Sequence, residues 1–136
     1  MFEHTQMKCL HALLDTIIPP DDYPGAVEAG VGDYLQRQLA GDLAESLSSY
    51  ETWLADLDAE ARAVNGTDFA DMTPRERAEL LTRVETGVVK ARWSIEPAAF
   101  FREIVEHCAE GYYSDSGNGG NRGGIAWRMI GFEVTG

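Results

Sequence analysis

Glu103 and His107 stand four residues apart, with Glu106 and Glu110 close by, a spacing that puts a carboxylate and an imidazole on one helix face and invites metal binding or acid–base chemistry. Di-metal helical bundles draw a Glu-x-x-His pair from each of two helices and two further glutamates, and no second such helix is present. A histidine in the last turn of a helix also has a purely structural use, since it sits well against the dipole and its ring can satisfy carbonyls there. That is the role expected of His107. His4 and His11 have no Cys or His at zinc spacing. Gly117-Asn118-Gly119-Gly120-Asn121-Arg122-Gly123-Gly124 offers glycines and a cation for a phosphate, but phosphate loops follow a strand and open a helix, whereas here a helix precedes the glycines. No serine sits in a Gly-x-Ser-x-Gly elbow, and Cys108 falls on an inward stripe beside Ile104 and Val105. No catalytic, cofactor-binding or metal-binding residue is predicted. The competing reading is a small enzyme with Glu103, His107 and Arg122 in a cleft under the C-terminal segment, and a third is a self-associating interaction module.

The elements that would position these residues follow from periodicity. Leu10, Leu13, Leu14, Ile17 and Ile18 recur at helical spacing and Pro19-Pro20 ends the run, which predicts a first helix over 6–18. Residues 21–25 form a turn, and a short helix is expected over 31–39. Leu43, Leu47, Tyr50, Leu54, Leu57, Ala61 and Val64 mark a long amphipathic helix that stops at Asn65-Gly66. Thr73-Pro74-Arg75-Glu76 is a capping box with proline at the first helical position, opening a helix with an inner face of Leu80, Leu81, Val84 and Val88. Pro97 opens a last helix carrying Phe100, Phe101, Ile104, Val105 and Cys108, with Gly111 as its terminator. Trp53 and Trp93 are read as helix-face residues. The expected fold is all-α: about five helices in one domain over 1–136, with a helical body at 6–111 and an extended C-terminal arm at 112–136.

The arm is unusual in composition. Eight of the fourteen glycines lie in the final 26 residues, interleaved with Tyr112, Tyr113, Trp127 and Phe132. Glycine allows close backbone approach while aromatics supply area to bury, so this segment is expected to dock on something. That surface is either the chain's own helices or another protein, and because the aromatics exceed what a five-helix core of this size needs for its own closure, some of them are expected to face a partner.

The formal charge of −12, from 11 basic and 23 acidic residues, opposes nucleic-acid phosphates and anionic lipid. The longest apolar run, 10–20, is broken by Asp15 and is too short to span a bilayer. The first nine residues contain no twin arginine and no basic start before an apolar stretch, and the expected compartment is the cytoplasm, or the periplasm had a leader been removed. Cys9 and Cys108 make no disulfide framework and are expected to be unpaired and buried.

Two stretches carry a resemblance. Leu14-Asp15-Thr16-Ile17-Ile18-Pro19-Pro20, with Pro24-Gly25-Ala26 and Ala29-Gly30-Val31, resembles the N-terminal signature of the gluconate 2-dehydrogenase subunit 3 family. Residues 107–111, Tyr112-Tyr113-Ser114-Asp115, Gly119-Gly120-Asn121-Arg122-Gly123 and Trp127-Arg128-Met129-Ile130-Gly131-Phe132 resemble its C-terminal signature. The departures are Ser116 and Glu133, where the family tends to have proline, and Asn118, where it often has an aromatic. The resemblance implies a non-catalytic small subunit that stabilises, chaperones or co-exports a large FAD-dependent subunit of the glucose-methanol-choline (GMC) oxidoreductase type, acting on a sugar, sugar acid or glycoside. The flavin would belong to that partner, and a cytochrome or other electron acceptor is a further candidate partner. The residues assigned to partner binding are Tyr112, Tyr113, Asn121, Arg122, Trp127, Met129 and Phe132.

With no βαβ nucleotide-binding unit in the pattern, the purified chain is expected to be colourless and inactive as an oxidoreductase on its own. A yellow, active preparation of this chain alone would refute that expectation.

Overall fold

The structure is a computed structural model that describes residues 2–20 and 24–114. Among them are five α-helices and no strand: α1 at His4–Ile17, α2 at Val31–Ala40, α3 at Leu47–Asn65, α4 at Pro74–Thr86 and α5 at Pro97–Ser114. No helix among the described residues is long and apolar enough to cross a membrane. The residues of the arm from 115 onward lie outside the described part.

α1 starts two residues before the predicted position, where Gln6 Oε1 accepts from the N–H of Glu3 at 3.0 Å. Its inner stripe of Cys9, Leu10, Leu13, Leu14 and Ile17 is buried. The long helix expected from Leu43 onward is split, a 3₁₀ turn at Ala44–Ser46 preceding α3. A second 3₁₀ turn at Phe69–Asp71 buries Phe69 and is held by the Asp58 carboxylate, which accepts from Phe69 N–H at 3.0 Å. The Thr73 capping box forms as the sequence suggests: Glu76 N–H donates to Thr73 Oγ1 at 3.2 Å and Thr73 N–H donates to Glu76 Oε1 at 2.9 Å.

Three expectations are corrected. Val88 is not on the inner face of α4. Gly87 takes a left-handed φ of 81° just past the helix end, so the chain turns away before Val88 can occupy the next inward position, and Val88 is 62% exposed. Trp93 is not on a helix but in the connector between α4 and α5, where its ring meets Trp53 edge-on at 5.4 Å; Trp53 itself is fully buried. Gly111 does not terminate α5, which runs on to Ser114. Both cysteines are free and buried. Burial pushes both thiols up, with Asp58 adding to the effect at Cys9 and Asp15 at Cys108, so both stay protonated.

The α4–α5 connector is held by a carboxylate inside the protein. Glu60 of α3 has 0% exposure; its Oε2 accepts from Lys90 N–H at 2.7 Å, and its Oε1 accepts from Ala91 N–H at 2.8 Å and the Trp93 indole at 3.0 Å. Burial by itself would raise the pKa of this carboxyl. The N–H of Lys90, the Trp93 indole, the N–H of Ala91 and the charge of Arg83, 3.9 Å away, outweigh it and hold the group below its ordinary 4.5.

A group whose pKa is lowered by folding stabilises the native state above its unfolded pKa and loses that contribution as pH falls through the folded value. Removing Glu60 leaves three donors without their acceptor, so Glu60→Ala is expected to cost about 2–4 kcal/mol at neutral pH. In urea titrations, the stability gap between wild type and this variant should stay flat above the ordinary carboxylate range and narrow in more acidic buffer. A gap independent of pH down to strong acid would show that Glu60 is not held as a carboxylate.

Candidate partner-binding site

The N-terminal signature and the start of the C-terminal signature, far apart in sequence, meet at one corner of the bundle. After α1 the chain turns at Ile18, Pro19 and Pro20 and folds back so that Ala26 N–H donates to Ile18 O at 2.9 Å, while Val27 N–H donates to the Asp15 carboxylate at 3.3 Å. The return is tight at Gly25, where a Cβ would come within 2.7 Å of Pro20 N and 2.9 Å of Ile18 O, so only glycine fits. Val31 N–H then donates to Ala26 O at 3.1 Å, and α2 begins.

The last turn of α5 docks onto this corner. Tyr112 is 2% exposed, and its hydroxyl donates to Pro24 O at 2.8 Å, closing a separation of 88 residues. One residue earlier, a Cβ on Gly111 would stand 2.7 Å from Cδ2 of Tyr34, a half-buried residue of α2. Gly111 is therefore a close-approach glycine inside the helix rather than a stop signal, which accounts for the continuation to Ser114. Of the residues assigned to partner binding, Tyr112 is packed in the core and Tyr113 is half-buried beside it. Asn121, Arg122, Trp127, Met129 and Phe132 lie outside the described residues.

Because α5 extends past Gly111, His107 is an interior helix residue and not in the last turn as expected. Its partner is no helix-end carbonyl. Nδ1 lies 2.6 Å from the Tyr50 hydroxyl, the ring stacks on Tyr50 with centroids 5.9 Å apart, and Phe100 meets Tyr50 edge-on at 5.3 Å. The Tyr50 phenol is pushed well up by burial first, then by Cys108, Glu103 and Glu110, so it remains neutral and pairs with His107 as a phenol. Glu103 is exposed whereas His107 is 8% exposed and turned inward, so the two do not line a common cleft. A cleft of about 270 Å³ between α1, α4 and α5, with Thr16, Ile17, Leu81 and Phe101 in its walls, contains neither. Among the described residues no three His, Cys, Asp or Glu side chains are grouped so as to hold a metal ion.

Pro24, Tyr34 and Tyr50 were not singled out as site residues from sequence. For Pro24 the signal lay in the Pro24-Gly25-Ala26 segment of the N-terminal signature; for Tyr50 it lay in its place on the α3 stripe. Tyr34 carried no signal, since its partner is an absent side chain.

The family model described as gluconate 2-dehydrogenase subunit 3 matches residues 4–135. The chain belongs to that family. No curated protein and no solved structure gives a match.

Gly111→Ala tests the corner through a change of sign. Alanine is intrinsically better in a helix by about 1 kcal/mol. Overpacking against Tyr34 costs about 1–3 kcal/mol, so the substitution is expected to lower the thermal midpoint in the wild-type background and to raise it in a Tyr34→Ala background. Stabilisation in both backgrounds would show that the ring and the glycine are not in close contact.

Proposed function

We propose that this member of the gluconate 2-dehydrogenase subunit 3 family is the non-catalytic small subunit of a carbohydrate-oxidising complex. It binds and stabilises a large FAD-dependent catalytic subunit of the GMC type, acting on a sugar, sugar acid or glycoside. The flavin and the redox chemistry belong to the large subunit, and an electron acceptor such as a cytochrome completes the assembly. The observation that carries this reading is the corner itself: the N-terminal signature and the start of the C-terminal signature are joined by the Tyr112 hydroxyl on Pro24 O and by Gly111 against Tyr34. The aromatic, glycine-rich arm is attached to the body immediately after this junction.

In this reading the corner fixes the direction in which the arm leaves α5, and Arg122, Trp127, Met129 and Phe132 with Asn121 supply the contacts to the large subunit. Interface energy concentrates in a few Trp, Tyr and Arg side chains in well-packed pockets. A side chain as large as Trp127 in an acidic, helical subunit suits that role. The residues that could do chemistry in the body support the same reading, since His107, Cys9, Cys108 and Tyr50 are all buried.

Co-purification with a large GMC-type flavoprotein subunit tests the proposal. Truncation after Ser114 is expected to abolish the complex, and Trp127→Ala to weaken it by about 2 kcal/mol, both with helicity unchanged by circular dichroism. Association unaffected by truncation would remove the arm as the interface, and failure of the wild-type chain to bind any flavoprotein would end the proposal.

A further inference from the structure

Glu60 and Asp56 lie one turn apart on α3 and both point at the connector between α4 and α5. Glu60 takes the N–H groups of Lys90 and Ala91 and the Trp93 indole, and Asp56 Oδ2 accepts from Ser94 N–H at 2.8 Å. The connector's backbone is thus tied inward at three amides, and Trp93 is wedged against Trp53. Val89 and Ile95 also pack against the core, while other side chains of the connector face out. Val88, Lys90 and Arg92 are all exposed, and Val88 is the one large hydrophobic residue exposed among the described residues. Neither Lys90 nor Arg92 forms an ion pair there.

The charge of this region differs from that of the rest of the chain. Residues 75–102 hold six basic and four acidic side chains, and with Asp56 and Glu60, which face them from α3, the region is neutral in a protein of net −12. A buried carboxylate is an expensive way to fix a loop, since its desolvation must be offset by well-made hydrogen bonds. What it secures here is a rigid presentation of one apolar and two cationic side chains, and a pre-ordered loop loses little entropy when it binds.

We infer that the Val88–Lys90–Arg92 rim is a second docking surface, and that its occupant is an acidic, partly apolar patch on the large catalytic subunit. The inference rests on the reading of the chain as a subunit of that complex. A partner that covers Val88 must dehydrate the cations beside it, and only a surface supplying carboxylates compensates them. A second copy of the chain is disfavoured because two bodies of net −12 repel each other, and nucleic acid is repelled for the same reason.

The test is binding of the full-length chain to the large subunit, measured at low and at physiological ionic strength. Lys90→Glu with Arg92→Glu is compared with a control of equal charge change outside this region, Lys8→Glu with Arg62→Glu, all four positions being exposed. The rim variant is expected to weaken binding about tenfold or more at low salt and to flatten its salt dependence, with the control changing it far less. Lys90→Gln with Arg92→Gln should fall between wild type and the reversal, which guards against a folding defect, and thermal melts should be unchanged. Equal weakening by rim and control variants overturns the inference, as does an unaltered affinity. A dimer seen by light scattering that the rim variant dissolves also overturns it, in favour of self-association. Absence of any wild-type complex overturns the proposed function and this inference with it, whereas a normal complex indifferent to the rim overturns only the latter.

Discussion

The continuation of α5 through Gly111 is the constraint on which the geometry of the signature corner depends. A glycine inside a helix ordinarily costs about 1 kcal/mol relative to alanine because the unfolded chain has more freedom to lose. Here the missing side chain lets the Tyr34 ring of α2 lie within 2.7 Å of where a Cβ would stand. That close approach keeps α2 against the end of α5. Tyr112, one residue further along the same helix, then reaches across the corner to the carbonyl of Pro24. Were the helix to end at Gly111, Tyr112 would have no fixed direction and the hydrogen bond to Pro24 O would not form. One absent methyl group and one phenol thus add to the core packing that joins the first and last parts of the described chain.

α3 supplies the corresponding restraint on the other half of the molecule. Reading along it, Tyr50 pairs with His107 of α5, Trp53 donates its indole N–H to Pro97 O at 3.2 Å, and Asp56 and Glu60 hold the connector that joins α4 to α5. Each of these polar groups is buried or half-buried and each has a partner, as the cost of burying an unpaired polar group requires. The consequence is directional: α3 fixes where α5 begins and how it is rotated about its axis, while the Gly111–Tyr34 contact fixes where it ends. A helix restrained at both ends gives a defined starting point for whatever follows it.

Much of the helical body was legible because it rests on local rules. The Thr73-Pro74-Arg75-Glu76 box reports its own geometry, and the leucine and isoleucine spacings of α1 and α3 need only a common core to face. What could not be read involves partners that leave no trace in the side-chain pattern. Two of Glu60's partners are backbone amides and the Tyr112 hydroxyl meets a backbone carbonyl, and these groups are the same at every position. A glycine that ends a helix and one that admits a neighbouring ring are the same letter; Gly87 is the first kind and Gly111 the second, and only Tyr34, 77 positions earlier, distinguishes them. Val88 continues the inward periodicity of α4 but lies beyond the turn that Gly87 imposes. The corner was half legible, because the resemblance pointed to both of its strands of sequence without showing that they touch.

This arrangement bears on where a partner would be recognised. Inside the body, the groups with chemical potential are committed to holding helices: the Cys9 thiol points at Leu54 O, Cys108 is enclosed, His107 and Tyr50 are bound to each other, and Glu60 is saturated by the connector. A second protein approaching from solvent meets none of these. It meets instead the features those groups fix in place, namely the exposed rim of the α4–α5 connector and the corner at which the helical body gives way to the arm. The internal polar network therefore acts on recognition indirectly, by setting the orientation of surfaces rather than by touching a partner, and substitutions within it should change binding only as far as they move the connector or the end of α5.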